Sequence, residues 1–190
     1  MAVSAQEKKT ILIFGDSITA GYGIDPGQAF PAIIQQKIDS VGLNYNVING
    51  GLSGETSAGG LRRIDWVLQR QVDMMILELG GNDGLRGIDL SSTKDNLQKI
   101  IDKALAKNPE MEIIIAGMQV PPNLGVDYTR EFQDLYPSFA EENDLVLIPT
   151  ILEQVGGYDE YMQADQIHPN PAGHKIVAQT IWNKLYPIIK

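Results

Sequence analysis

The chain has 190 residues, 43% of them hydrophobic and 21% charged, with a formal net charge of −9. That excess of acid argues against nucleic acid as a partner, because holding phosphates takes a surplus of Lys and Arg. Cysteine is absent and histidine occurs only as His168 and His174, which rules out disulfides, a cysteine nucleophile and a His- or thiolate-rich metal centre.

No apolar run reaches the ~20 residues of a membrane span, so no integral membrane segment is expected. The length suits a polar tail over residues 1–9 and a single domain over residues 10–190. Met1–Lys9 lacks the apolar stretch of a signal peptide. The reading is a soluble protein: periplasmic or secreted if the polar start is a trimmed mature one, otherwise cytoplasmic.

Short β-branched runs alternate with amphipathic stretches along the chain. Thr10–Phe14 reads as the first strand. A helix over Phe30–Val41 follows, with Pro31 in its first turn, where a missing N–H costs nothing. Tyr45–Asn49 is the second strand. In the helix predicted over Leu61–Gln69, Leu61, Ile64 and Leu68 share one face and Trp66 and Val67 widen its apolar stripe. Met74–Leu79 is the third strand, and Ser92–Lys107 carries Leu97, Ile100, Ile101, Ala104 and Leu105 at helical spacing. Strands over Glu112–Gly117 and Leu145–Ile148 bracket a helix over Arg130–Glu142. The last helix, Ala172–Tyr186, follows Pro171 and buries Ile176, Val177, Thr180 and Ile181 on one side. Most strands are apolar without alternation, as expected of parallel strands covered on both faces. The pattern predicts a doubly wound α/β fold of five parallel strands whose carboxyl ends share one edge, where such folds bind ligands.

The unusual segments fall at that edge. Gly15-Asp16-Ser17-Ile18 follows the first strand, Gly50-Gly51-Leu52-Ser53-Gly54-Glu55-Thr56-Ser57 the second, and Gly80-Gly81-Asn82-Asp83-Gly84 the third. Asp165-Gln166-Ile167-His168-Pro169-Asn170 precedes the last helix. Alone, Ser17 fits a helix cap or turn, and a Gly-Asp-Ser triplet arises by chance in roughly one such chain in twenty. A matching base changes the weight. Asp165 and His168 are three apart, so on a helical turn they face the same way. The carboxylate can then take the Nδ1 proton and leave Nε2 free to accept from a serine hydroxyl. Ser17, His168 and Asp165 together read as a catalytic triad.

Acyl transfer also needs donors aimed at the developing oxyanion. Gly54, with no side chain, allows its N–H to approach a substrate, and Asn82 carries an amide donor on a glycine-flanked loop. Asp16 adjoins Ser17 and Asp83 adjoins Asn82, but chain neighbours point in different directions, so neither naturally reaches His168, and both are expected to order the loops. His174 is assigned a packing or surface role, and the methionines at 74, 75, 111, 118 and 162 core filling and pocket lining. Leu85, Ile88, Val120 and Pro121, on loops after the third and fourth strands, are expected to wall an apolar acyl groove.

The order Ser17, Gly54, Asn82, His168, over nearly the whole chain, resembles the blocks of the SGNH (GDSL-type) hydrolases. Ser53-Gly54-Glu55-Thr56-Ser57 and Glu78-Leu79-Gly80-Gly81-Asn82-Asp83-Gly84-Leu85-Arg86-Gly87 are most similar to the bacterial thioesterase I / lysophospholipase / arylesterase group. Ile18 stands where the motif's name has Leu and keeps its apolar bulk. The resemblance implies a flavodoxin-like three-layer α/β/α sandwich with strand order 2-1-3-4-5. It also implies an oxyanion hole of the Ser17 N–H, the Gly54 N–H and the Asn82 side chain. The activity implied is a cofactor-free serine esterase acting on a small-molecule ester or thioester. The rival within the class is a carbohydrate acetylesterase on the same triad. A metallophosphoesterase would need more ligands than the chain has, and a flavodoxin-like binding module would not place Asp16 where a phosphate sits.

Overall fold

The computed structural model describes residues 8–120 and 124–190. Most of the expected polar tail, and Pro121 of the expected groove, lie outside the described residues. Lys9 already belongs to the first strand.

Five parallel strands form one sheet in the order β2-β1-β3-β4-β5. They are β1 (Lys9–Gly15), β2 (Tyr45–Gly51), β3 (Met74–Glu78), β4 (Glu112–Ala116) and β5 (Val146–Ile148). The longer helices are α2 (Phe30–Ser40), α3 (Ser57–Val67), α5 (Leu90–Lys107), α6 (Val126–Glu142) and α7 (Pro171–Ile189). α2 packs with α7, while α5 packs with both α3 and α6, which makes the helix–sheet–helix sandwich. Three short helical elements among the described residues were not expected from the sequence: α1 (Ser17–Ala20) directly after β1, a single 3-10 turn at Pro26–Gln28, and α4 (Gly81–Leu85) just past β3.

Burial follows strand position. Ile11, Leu12, Ile13 and Phe14 of β1 and all of β3 are buried, because helices cover both faces of the central strands. The edge strands β2 and β5 stay half-exposed. α3 begins at Ser57, where Thr56 caps it by accepting from the Gly59 N–H, and it turns Trp66 outward at 65% exposure. The apolar stripe expected on that helix loses Trp66 alone: Ile64, Val67 and Leu68 are buried, and Leu61 packs against the core. α7 buries Val177, Ala178, Ile181 and Leu185, with Ile176 and Thr180 only half-buried. No helix among the described residues is long and apolar enough to cross a membrane.

Register brings the chemistry together. Gly15 pairs with Gly51 on one side and Glu78 on the other, so the ends of β2, β1 and β3 lie side by side. At Gly15 a side chain is impossible, since a Cβ would stand 2.2 Å from Thr19 Oγ1 and 2.3 Å from Glu78 Oε2.

Candidate active site

Ser17 is the first residue of α1. Asp16 caps that helix, its Oδ1 accepting from the Ile18 N–H at 3.0 Å, and the backbone turns sharply enough to lift Ser17 Oγ to the sheet edge. Across the edge, His168 Nε2 lies 2.9 Å from Ser17 Oγ, and His168 Nδ1 lies 2.6 Å from Asp165 Oδ2. The sequence reading of the three residues as a juxtaposed set matches their placement.

Its local conformation differs from the expectation. Asp165 to His168 is a bend, with Gln166 at φ 57°, and not a helical turn. Asp165 Oδ1 accepts from the Ile167 and His168 N–H groups at 3.0 Å each, which folds the segment back on its own carboxylate. Beyond it, the Gln163 N–H donates to the His168 carbonyl and the Asn170 N–H to the Tyr161 carbonyl, both at 2.8 Å, around a bridge between Met162 and Pro169. Desolvation pushes the Asp165 carboxyl up, but the hydrogen bonds from His168 and the Ile167 backbone outweigh it and hold the pKa at about 2. The carboxylate is thus ionised and oriented to keep the Nδ1 proton in place.

Opposite the histidine, the Ser17 and Gly54 N–H groups make no hydrogen bond among the described residues. Gly54 adopts φ +76°, a left-handed conformation that suits glycine, and its carbonyl accepts from Arg86 Nη2 at 3.0 Å. Asn82, in the first turn of α4, gives one Nδ2 proton to Asp16 Oδ2 at 3.0 Å. That contact fixes which end of the amide is the donor and leaves its second proton without a partner among the described residues.

The neighbouring acids order the loops, as expected. Asp83 accepts from the Ser57 N–H at 2.8 Å and from the hydroxyls of Ser57 and Thr93, tying the third loop to α3 and α5. Burial raises Asp16 to about 6, against the pull of the Ile18 N–H and Asn82. His174 is a packing residue: its Nδ1 accepts from the Phe30 N–H at 3.2 Å.

Four side chains escaped the sequence reading. Arg63 grips Glu55 with Nε and Nη2 and reaches the carbonyls of Gly50 (2.7 Å) and Gly15 (3.3 Å), clamping two of the loops. Tyr22 packs against the His168 ring with centroids 4.6 Å apart. Glu78 is buried under the Ser17 turn. Gln163 Nε2 joins the Tyr22 carbonyl (2.7 Å) to that of Pro169 (3.0 Å) and so docks the histidine segment. Nothing in a linear sequence marks an Arg or Glu as buried; only the carbonyl-rich glycine loops around Arg63 hinted that a donor was needed.

Ser17, Asn82, Gly54 and His168 open onto a cleft of about 450 Å³ lined by Leu85, Met118, Val120, Leu152, Met162 and Ile167. Leu85 and Val120 stand where the groove reading put them. Ile88 is not among the lining residues; its carbonyl accepts from Tyr128 Oη at 2.8 Å, which turns that stretch towards α6. A larger depression of about 1050 Å³ lies at the opposite end of β1, around Lys9 and Asp73, away from Ser17. Among the described residues no group of three or more His, Cys, Asp or Glu is placed to hold a metal ion.

Known proteins show the same plan. The profile of the GDSL-like Lipase/Acylhydrolase family matches residues 13–176. Esterase TesA of Pseudomonas aeruginosa is 38% identical over 182 residues, covering 95% of this chain and 90% of that protein. The arylesterase of Vibrio mimicus is 34% identical over 186 residues, 97% of this chain and 92% of that one. A crystal structure of the psychrotrophic esterase EstA from Pseudoalteromonas sp., inhibited by monoethylphosphonate, superposes with a TM-score of 0.88 at 30% identity, covering 95% of this chain and 98% of the other. Sequence blocks, topology and relatives agree, and the chain belongs to the GDSL-like lipase/acylhydrolase family, the SGNH hydrolases, as a serine esterase.

Proposed function

We propose that Ser17 is the nucleophile, His168 the general base and Asp165 its orienting acid. The substrates we assign are short- to medium-chain acyl and aryl esters, with thioesters and lysophospholipids as further candidates. The observation that carries this reading is the continuous relay from Asp165 Oδ2 through the imidazole to Ser17 Oγ, at 2.6 and 2.9 Å. Ser17 Oγ attacks the acyl carbon while its proton passes to His168 Nε2. The tetrahedral oxygen takes the N–H groups of Ser17 and Gly54 and the free Nδ2 proton of Asn82. His168 then returns the proton to the leaving alcohol or thiol, leaving an acyl-enzyme. Water repeats the sequence on the acyl carbon, and the carboxylic acid departs as Ser17 recovers its proton.

The apolar cleft wall supports alkyl or aryl acyl groups over polar ones. Each methylene buried there adds up to ~0.8 kcal/mol, or about fourfold in kcat/KM, until the groove is full. The test joins Ser17→Ala with a p-nitrophenyl ester series. Ser17→Ala should lower kcat about 10⁴-fold with the fold intact, and a phosphonate ester should add its mass at Ser17 alone. Near-native turnover by Ser17→Ala refutes the mechanism. A kcat/KM highest for acetyl and falling with each added carbon, with acetylated sugars turned over better than aryl esters, replaces the substrate assignment with a carbohydrate acetylesterase.

A further inference from the structure

Glu78 closes β3 with its side chain fully buried, directly beneath the turn that carries Ser17. It sits opposite Gly15 in the sheet, and the missing Cβ at Gly15 makes the space that its carboxyl occupies. Oε2 accepts from Thr19 Oγ1 at 2.5 Å and from the Asp16 N–H at 3.3 Å. These two donors flank Ser17 on either side. Oε1 makes no hydrogen bond, and no Lys or Arg pairs with Glu78 among the described residues. An ionised carboxylate here would be a second uncompensated negative charge beside Asp16. Burial, reinforced by Asp16, accordingly pushes the Glu78 pKa well above the usual carboxylate range, and with Oε1 unpaired and no cation beside it the site favours the uncharged carboxyl. Asp16 meanwhile spends both its oxygens on functional neighbours, the Ile18 N–H and Asn82 Nδ2.

The contacts form one chain. Glu78 holds the Asp16 backbone; the Asp16 carboxylate holds the Asn82 amide; and Thr19 anchors the other end of the turn. Glu78 is absent from the cleft lining, so it touches no substrate. We propose that Glu78 is a positioning residue for the esterase reaction, acting as an uncharged hydrogen-bond acceptor that aligns Ser17 and, through Asp16, the oxyanion donor Asn82. This rests on Ser17 being the nucleophile.

Such a residue acts on kcat and leaves substrate binding alone. The test measures kcat and KM on p-nitrophenyl butyrate per active site, with active sites counted by the p-nitrophenol burst of a phosphonate ester. Glu78→Ala is expected to lower kcat per site by ~10–100-fold with KM within about twofold, as small misplacements of reacting groups do. Glu78→Gln keeps a carbonyl acceptor for Thr19 and Asp16 and places N–H where a neutral carboxyl carries O–H; it is expected to stay within about threefold of wild type. Thr19→Val preserves volume while breaking the other tie, and should lower kcat in the same direction even if Glu78→Ala fails to fold. Wild-type kcat per site in Thr19→Val, or in a folded Glu78→Ala, overturns the proposal, as does a rise in KM at constant kcat. A Glu78→Gln enzyme as impaired as Glu78→Ala, or as Thr19→Val where Glu78→Ala does not fold, overturns the neutral-acceptor role in favour of a charged one. A wild-type enzyme that the phosphonate leaves untouched overturns the Ser17 nucleophile itself, a distinct result.

Discussion

Acid should loosen this enzyme through His174. The ring sits in the first turn of α7, 1% exposed, and accepts a hydrogen bond from the N–H that starts α2. Burial, with a smaller contribution from His168, lowers its pKa from 6.5 to about 4. The folded ring therefore stays neutral down to about pH 4, whereas the unfolded chain takes up a proton near 6.5. Between those values the unfolded state binds more protons, so this contribution to stability is complete above the unfolded pKa and is lost as pH falls. From about pH 8 to about pH 4.5 the loss is about 2–3 kcal/mol, a sizeable part of the ~5–15 kcal/mol that holds a domain together. In a chain of this size that corresponds to roughly 5–10 °C in Tm. Glu78 works in the opposite sense, since its raised pKa favours the folded state at low pH. The difference between wild type and a variant isolates the histidine. His174→Asn keeps an acceptor for the Phe30 N–H and cannot become charged. Urea unfolding of both proteins at the two pH values should show wild type losing about 2–3 kcal/mol more than His174→Asn on acidification. Parallel losses would refute the reasoning.

Other consequences follow from the site. Asn82→Ala should reduce kcat by about 10²–10³-fold with little change in KM, measured on a p-nitrophenyl ester; a rise in KM alone would make Asn82 a substrate-binding group only. Asp165→Asn should cost about 10⁴-fold in kcat, because an amide in that bend no longer fixes the imidazole tautomer, and a loss under about tenfold would contradict this. Val120→Ala should shift the chain-length optimum towards longer acyl groups, since Val120 Cγ1 fills the space beside Gly84; an unchanged optimum would remove Val120 from the acyl wall.

The residues proposed as reactive were legible as a set because chemistry constrains their types: a serine after a strand, a histidine with an acid three residues before it, and glycine-flanked donors on the neighbouring loops. Strand order came with the family resemblance, and the register placing Gly15 between Gly51 and Glu78 emerged from the structure. Short elements were not legible. α1 and α4 are four and five residues long, too brief for periodicity to register, yet they carry Ser17 and Asn82. Residue spacing also misled where tertiary context decided the outcome. Trp66 belongs to an apolar stripe by count but faces solvent, and Asp165 meets His168 through a bend around Gln166. Glu78 and Arg63 look like ordinary surface charges in sequence; partners distant along the chain, among them Thr19 and Gly15, make them structural.

Asp165 and His168 stand three residues apart on one bend, while His168 and Ser17 are separated by 151 residues. The first contact is written into a short stretch of backbone and travels with it. The second exists only while the segment between β5 and α7 stays docked on the sheet edge, where Gln163 bonded to the Tyr22 carbonyl helps to pin it. Warming or mild denaturant should therefore part His168 from Ser17 while the sheet, and the Asp165–His168 pair, remain intact. Turnover would then vanish ahead of the loss of circular dichroism, and return at the pace of a loop settling back rather than of a sheet refolding.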